Sequence, residues 1–140
     1  MKCLLSVLFL TFAFNLCGLA HAQQNLSVAA QLASIDAARM LNESDPAVVR
    51  MRSALDDAKL VCRVDSLVTG DQVAAIRKAL AAKNVTVTNI ELVEMIPQMV
   101  GNSKFRGKCE QYIAMYAALR DKGFSHPKAT NAVRGVLNGL

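Results

Sequence analysis

Nucleophilic catalysis needs a thiol or hydroxyl beside a base, with a third group to orient the base. The chain is poor in the residues that could supply this, with two histidines, His21 and His126, and four cysteines. His126 lies between Ser125 and Pro127, a setting that suits the start of a helix rather than a catalytic base. Paired carboxylates with separated pKa values are the other common device for acid and base work. Glu91 and Glu94 stand three residues apart and would share a helical face, whereas the adjacent Asp56 and Asp57 would point about 100° apart. Glu91 has a structural use already, as the acid three residues after Thr88 in a capping box. No glycine-rich phosphate loop, His-Glu-x-x-His or calcium-loop pattern occurs. The expectation is a non-enzymatic chain without catalytic residues, metal ligands or cofactor.

The cysteines depend on how the chain begins. Met1-Lys2 carries one positive charge, Cys3 to Leu16 form an apolar run, and Ala20-His21-Ala22 has the small-x-small pattern of a signal-peptidase site. Residues 1–22 are therefore expected to be a cleaved signal peptide, and 23–140 a single helical domain released to the periplasm or the exterior. Cleavage removes Cys3 and Cys17. Cys62 and Cys109 remain, and two thiols in an oxidising compartment are most simply one disulfide. With His126 as the only mature histidine, no zinc-type ligand set can be assembled. Asn25, Asn42 and Asn84 begin N-glycosylation sequons, which matter only in a cell that glycosylates.

Hydrophobic residues make up 53% of the chain and charged residues 19%, which excludes a disordered polymer and leaves enough apolar surface for a core. The elements that would position Cys62 and Cys109 are helical. Val28, Leu32 and Ile35 open a first helix running from Leu26 to about Leu41. Asp45-Pro46 caps a second, whose stripe Val48, Met51, Leu55, Ala58 and Cys62 places the cysteine on its buried face. Thr69-Gly70-Asp71-Gln72 has capping-box spacing and is expected to start a third helix. The β-branched tract Val85-Thr86-Val87-Thr88 reads as an extended connector. Thr88-Asn89-Ile90-Glu91 opens a fourth helix, which Pro97 should kink or end, with a break at Gly101-Asn102-Ser103. Cys109, Tyr112, Ile113, Tyr116 and Leu119 stripe a fifth helix closed by Gly123, and a sixth begins at Ser125-His126-Pro127. The fold class is all-α: a compact bundle or orthogonal array of five to six short helices stapled by one disulfide.

Leu119, Gly123-Phe124, Ala129 and Ala132-Val133 together resemble the helix-loop-helix pattern of ubiquitin-associated domains over about 20 residues. The resemblance implies a tight turn between the last two helices. An exported chain would not meet intracellular ubiquitin, so it implies no partner.

Charge is unevenly placed. Residues 23–96 hold 8 basic and 9 acidic residues, while 97–140 hold 7 basic and 2 acidic, so the mature excess lies in the last third. Phe105, Tyr112, Tyr116 and Phe124, the aromatics left after cleavage, fall there too. The periodicity of Tyr112 and Tyr116 makes them core residues. Lys104, Phe105, Arg106 and Lys108 interleave cations with an aromatic and form the candidate partner contact. Met95 and Met99, one turn apart beside Pro97, form the candidate hydrophobic groove. The functional expectation is a small exported binding protein, for example an inhibitor or immunity-type protein that occludes a partner protein. The alternative is a carrier of a small hydrophobic ligand or lipid within the bundle. An anionic surface or lipid is a further partner class, and no specific nucleic acid is expected.

Overall fold

A computed structural model describes residues 26–101, 107 and 109–139. Six helices follow one another: α1 Val28–Ala37, α2 Pro46–Cys62, α3 Ser66–Ala81, α4 Asn89–Val100, α5 Cys109–Asp121 and α6 His126–Gly139. Among the described residues there is no strand, and the tract 85–88 has no regular secondary structure, with Thr88 extended as the cap of α4. The expected leader at 1–22 and the residues at 102–103 lie outside the described residues.

The most apolar of the long interior faces belongs to α4, and this helix packs against each of the other five. Leu92, Val93, Met95, Ile96, Met99 and Val100 are all buried along it. The remaining helices turn their apolar stripes toward this axis: Val48, Met51, Leu55 and Ala58 of α2, Tyr112, Ile113 and Tyr116 of α5, and Ala129, Val133 and Leu137 of α6. One contiguous core results.

Local signals explain most boundaries. Asp45 accepts a hydrogen bond from the Ala47 amide and is followed by Pro46 at the first helical position. Thr88 and Glu91 complete both halves of the expected capping box. At the end of α5 the Phe124 amide donates to Leu119 O and the Gly123 amide to Arg120 O, with Gly123 at φ 86°. This is the Schellman arrangement, and it makes the tight turn into α6.

Three expectations are corrected. The first helix stops at Ala37, because Ala38 turns left-handed and the Leu41 amide folds back onto Ser34 Oγ, which carries Leu41 into the core. The third helix starts at Ser66 with Asp65 as its cap, one turn before the Thr69-Gly70-Asp71-Gln72 box. Thr69 is buried inside the helix with its hydroxyl on Asp65 O, and Gly70 is the place where α1 passes closest: a Cβ there would lie 2.6 Å from Val28 Cγ1. Of the two effects expected of Pro97, a kink or an end to the helix, the second does not occur. The helix runs on to Val100, and the half-buried proline still accepts the Gly101 amide on its carbonyl.

Candidate functional site

Cys62 and Cys109 meet. Cys62 ends α2 and Cys109 begins α5, and their disulfide joins chain positions 47 apart with both side chains buried. The Gly107 amide donates to Val61 O beside it. Lys104, Phe105, Arg106 and Lys108 lie outside the described residues. Leu60 and Leu67, on either side of the α2–α3 turn at this end, are 72% and 57% exposed.

The methionines correct a further expectation. Met95 and Met99 are fully buried on α4, the helix with neighbours on all sides, so they fill the core instead of lining a groove. The tyrosines are interior, as their spacing predicts.

Glu91, Glu94, Tyr116 and His126 are each engaged locally. Glu91 Oε2 accepts from both the amide and the hydroxyl of Thr88, and the bond from that amide, with the hydroxyl's, holds the carboxyl below its usual range despite partial desolvation. Glu94 takes a two-pronged bond from Arg50 across the α2–α4 surface at 2.7 and 2.8 Å. The expected pair of acids is thereby split between two tasks. Tyr116 Oη lies 2.8 Å from His126 Nδ1 and receives Arg120 Nη1 at 3.0 Å. A guanidinium can only donate, so the phenol proton is free to point to Nδ1. Burial pushes the Tyr116 hydroxyl up, against the lowering pull of Arg120. Among the described residues no cluster of His, Cys, Asp and Glu could hold a metal.

A different place collects polar groups without partners. Between α1, α3 and the tract 85–88 is an open cleft of about 660 Å³, walled by Ile35, Arg77, Lys78, Asn84, Thr86 and Asn89 among others. Next to the cleft residues Arg77 and Asn89 stands Asp36. One carboxylate oxygen accepts the Asn89 amide at 2.8 Å and the other the Ile90 amide at 2.9 Å, so α1 supplies a second cap to α4. Arg77 Nε lies 3.8 Å from the same carboxylate, beyond hydrogen-bond reach. Asn89 is 1% exposed and uses its side-chain amide nitrogen on Leu32 O. Among the described residues, the buried side-chain polar atoms with no partner are Arg77 Nε, Asn89 Oδ1 and Arg120 Nε. Arg77 and Asn89 line the cleft, whereas Arg120 is not part of its wall and donates Nη2 to Thr86 O. No protein-family model, curated protein or solved structure matches the chain. The site therefore rests on its own geometry.

Sequence reasoning missed this cleft. Its walls come from segments between positions 35 and 89, and the motifs they carry, the sequon at Asn84 and the capping box around Asn89, do not point to a cleft. The nearest signal was the β-branched tract, whose composition favours an extended backbone with no visible sheet to join.

Proposed function

We propose that the chain is an exported, non-enzymatic protein that binds a partner protein through a preformed surface on a disulfide-stapled helical frame. The observation that carries this reading is the open cleft with its concentration of unpartnered polar atoms. Buried polar groups are nearly always hydrogen-bonded, and two exceptions on one concavity, Arg77 Nε and Asn89 Oδ1, favour a surface completed by something else. A rigid frame lowers the ordering cost of association, and α4 at the centre with Cys62–Cys109 at one end supplies such a frame. The candidate catalytic groups have structural employment: Glu91 in a cap, Glu94 with Arg50, His126 with Tyr116 and both cysteines in the disulfide. Transport of a ligand inside the bundle is less well supported, since the methionines that would form its mouth are core residues.

The test is affinity capture from the organism's own extracytoplasmic fraction with the oxidised protein as bait, followed by native mass spectrometry. Ala74 is exposed in the cleft wall, so Ala74→Phe fills the cleft without entering the core. A protein retained by the wild type and lost with Ala74→Phe supports the reading. A co-purifying lipid, or no retained protein, overturns it.

A further inference from the structure

We infer that the cleft receives an acidic side chain of the partner protein, an Asp or Glu whose carboxylate is held between Arg77 and Lys78. This rests on the protein-binding reading above and names the chemistry of the partner's contact.

The cationic wall follows from helix periodicity. Ala74, Arg77, Lys78 and Ala81 all line the cleft, and positions three, four and seven residues on from Ala74 share one face of α3. Thr69, Val73 and Leu80, on a different side of the helix, are buried in the bundle. The face turned to the cleft therefore sets two cations between two small residues. Both alanines are exposed, so no bulky neighbour on this face blocks approach to the charges. Ile35 of α1, 49% exposed on the same cleft, gives apolar footing to the stem of an incoming side chain.

The sign of the occupant follows from the charges left over. Among the described residues Arg77 and Lys78 are the ionisable groups in the cleft wall, and no carboxylate stands with them. Lys78 is exposed and forms no ion pair among the described residues. Arg77, its side chain 35% exposed, has Nε 3.8 Å from Asp36 without a hydrogen bond. Both Asp36 oxygens are taken by the Asn89 and Ile90 amides, so that carboxylate is committed to capping α4 and leaves Arg77 with donors to spare. The unpartnered acceptor at the cleft, Asn89 Oδ1, is neutral and belongs to a residue only 1% exposed, so the exposed cations set the sign.

Guanidinium and ammonium groups can only donate, and the group that complements both is an anionic acceptor. A carboxylate matches the fork of an arginine, and a neighbouring lysine adds a point charge. Asn84 and Thr86, exposed along the cleft, offer neutral donors beside them. The volume of about 660 Å³ accommodates such a side chain together with its neighbours in the partner. A cationic cleft against an acidic contact also steers encounter and rejects basic surfaces.

The probe is a phage-displayed library of cyclic heptapeptides panned on the oxidised protein, with Ala74→Phe as the counter-selection. Retained peptides should share an Asp or Glu, and changing that residue to Asn or Gln in a synthetic copy should weaken binding about tenfold. Lys78→Glu should also weaken it about tenfold, and added salt should weaken it further. A copy with Lys in place of the acid should prefer Lys78→Glu to the wild type, and the Arg77 Nε–H resonance should shift when the acidic copy binds. Lys78 is an exposed helical position, and Lys78→Gln carries the same test without reversing the charge; circular dichroism checks that both variants fold. Selection without a common acid, no selection at all, indifference to the amide replacement, a charge-swapped copy that does not prefer Lys78→Glu, or an unmoved Arg77 resonance each overturns the inference. A partner captured by the wild type and equally by both Lys78 variants also overturns it while leaving the protein-binding reading in place; failure of capture itself strikes the reading.

Discussion

Gly70 provides a sharp trial of the packing argument. A glycine within a helix ordinarily invites replacement, because alanine is favoured there by about 1 kcal/mol. Here the added Cβ would stand 2.6 Å from Val28 Cγ1, about 1 Å inside normal carbon contact, with Leu32 Cδ1 at an unstrained 3.7 Å. Overpacking of this kind costs about 1–3 kcal/mol, and the β-branched Val28 has little rotamer freedom in a helix with which to retreat. The two terms leave Gly70→Ala destabilising by about 1 kcal/mol. Val28→Ala alone should cost about 1 kcal/mol, since its methyl groups are only half-buried. Once Val28 is truncated the clash is gone, and Gly70→Ala should then stabilise by about 1 kcal/mol, a coupling of about 2 kcal/mol. Urea unfolding followed by far-ultraviolet circular dichroism gives all four stabilities, with an unchanged m value as the check on two-state behaviour. If Gly70→Ala stabilises the unaltered protein and adds simply to Val28→Ala, the close approach of α1 to α3 is not what selects glycine.

Replacing Cys62 and Cys109 together by alanine should cost about 4 kcal/mol, from the loop entropy of a 47-residue separation; a urea midpoint shift corresponding to under about 1 kcal/mol would contradict the entropic account. Asp36→Ala removes the acceptor of two α4 amides and should destabilise by about 2 kcal/mol, with amide exchange at Asn89 and Ile90 accelerating before that of α5. On pH, Glu91 is held low, so its contribution is present above the ordinary carboxylate value of about 4.3 and is lost as pH falls through its folded value; exposed Glu43, lowered by Ser27 and Arg52, acts on the same limb. Tyr116 is pushed up, so its contribution is present below about 10 and is lost as pH rises through its folded value. Urea midpoints against pH should show Glu91→Gln flattening the acid limb and Tyr116→Phe the alkaline one, and unchanged limbs in those variants would refute the assignments.

Helix content, the pairing of Cys62 with Cys109 and the caps at Asp45 and Thr88 were legible because each depends on residues near in sequence or on a simple count. The errors arose where two local signals competed. Thr69-Gly70-Asp71-Gln72 has the spacing of a helix start, yet Asp65 caps earlier and the box is absorbed into α3, where Thr69 is better satisfied by the Asp65 carbonyl. Met95 and Met99 looked equally suitable for a groove and for a core. Only the number of helices around α4 decides between these, and no local pattern encodes that number. Of the candidate site, the break in helical composition at 85–88 could be read, but the cleft beside it could not, since a gap between helices is a property of the whole arrangement.

By itself the sequence determined an all-helical fold over the described residues and the staple from the end of the second helix to the start of the fifth. The tertiary structure alone decided that α4 is the axis, that Gly70 yields to Val28, and that Asp36 caps a helix 53 residues away. It also decided that Arg77 and Asn89 meet around one cleft with polar groups to spare. The physical reason is range. Helix periodicity, caps and cysteine pairing are settled within a few turns or by the compartment, whereas a cleft exists only where helices from distant positions leave space between them.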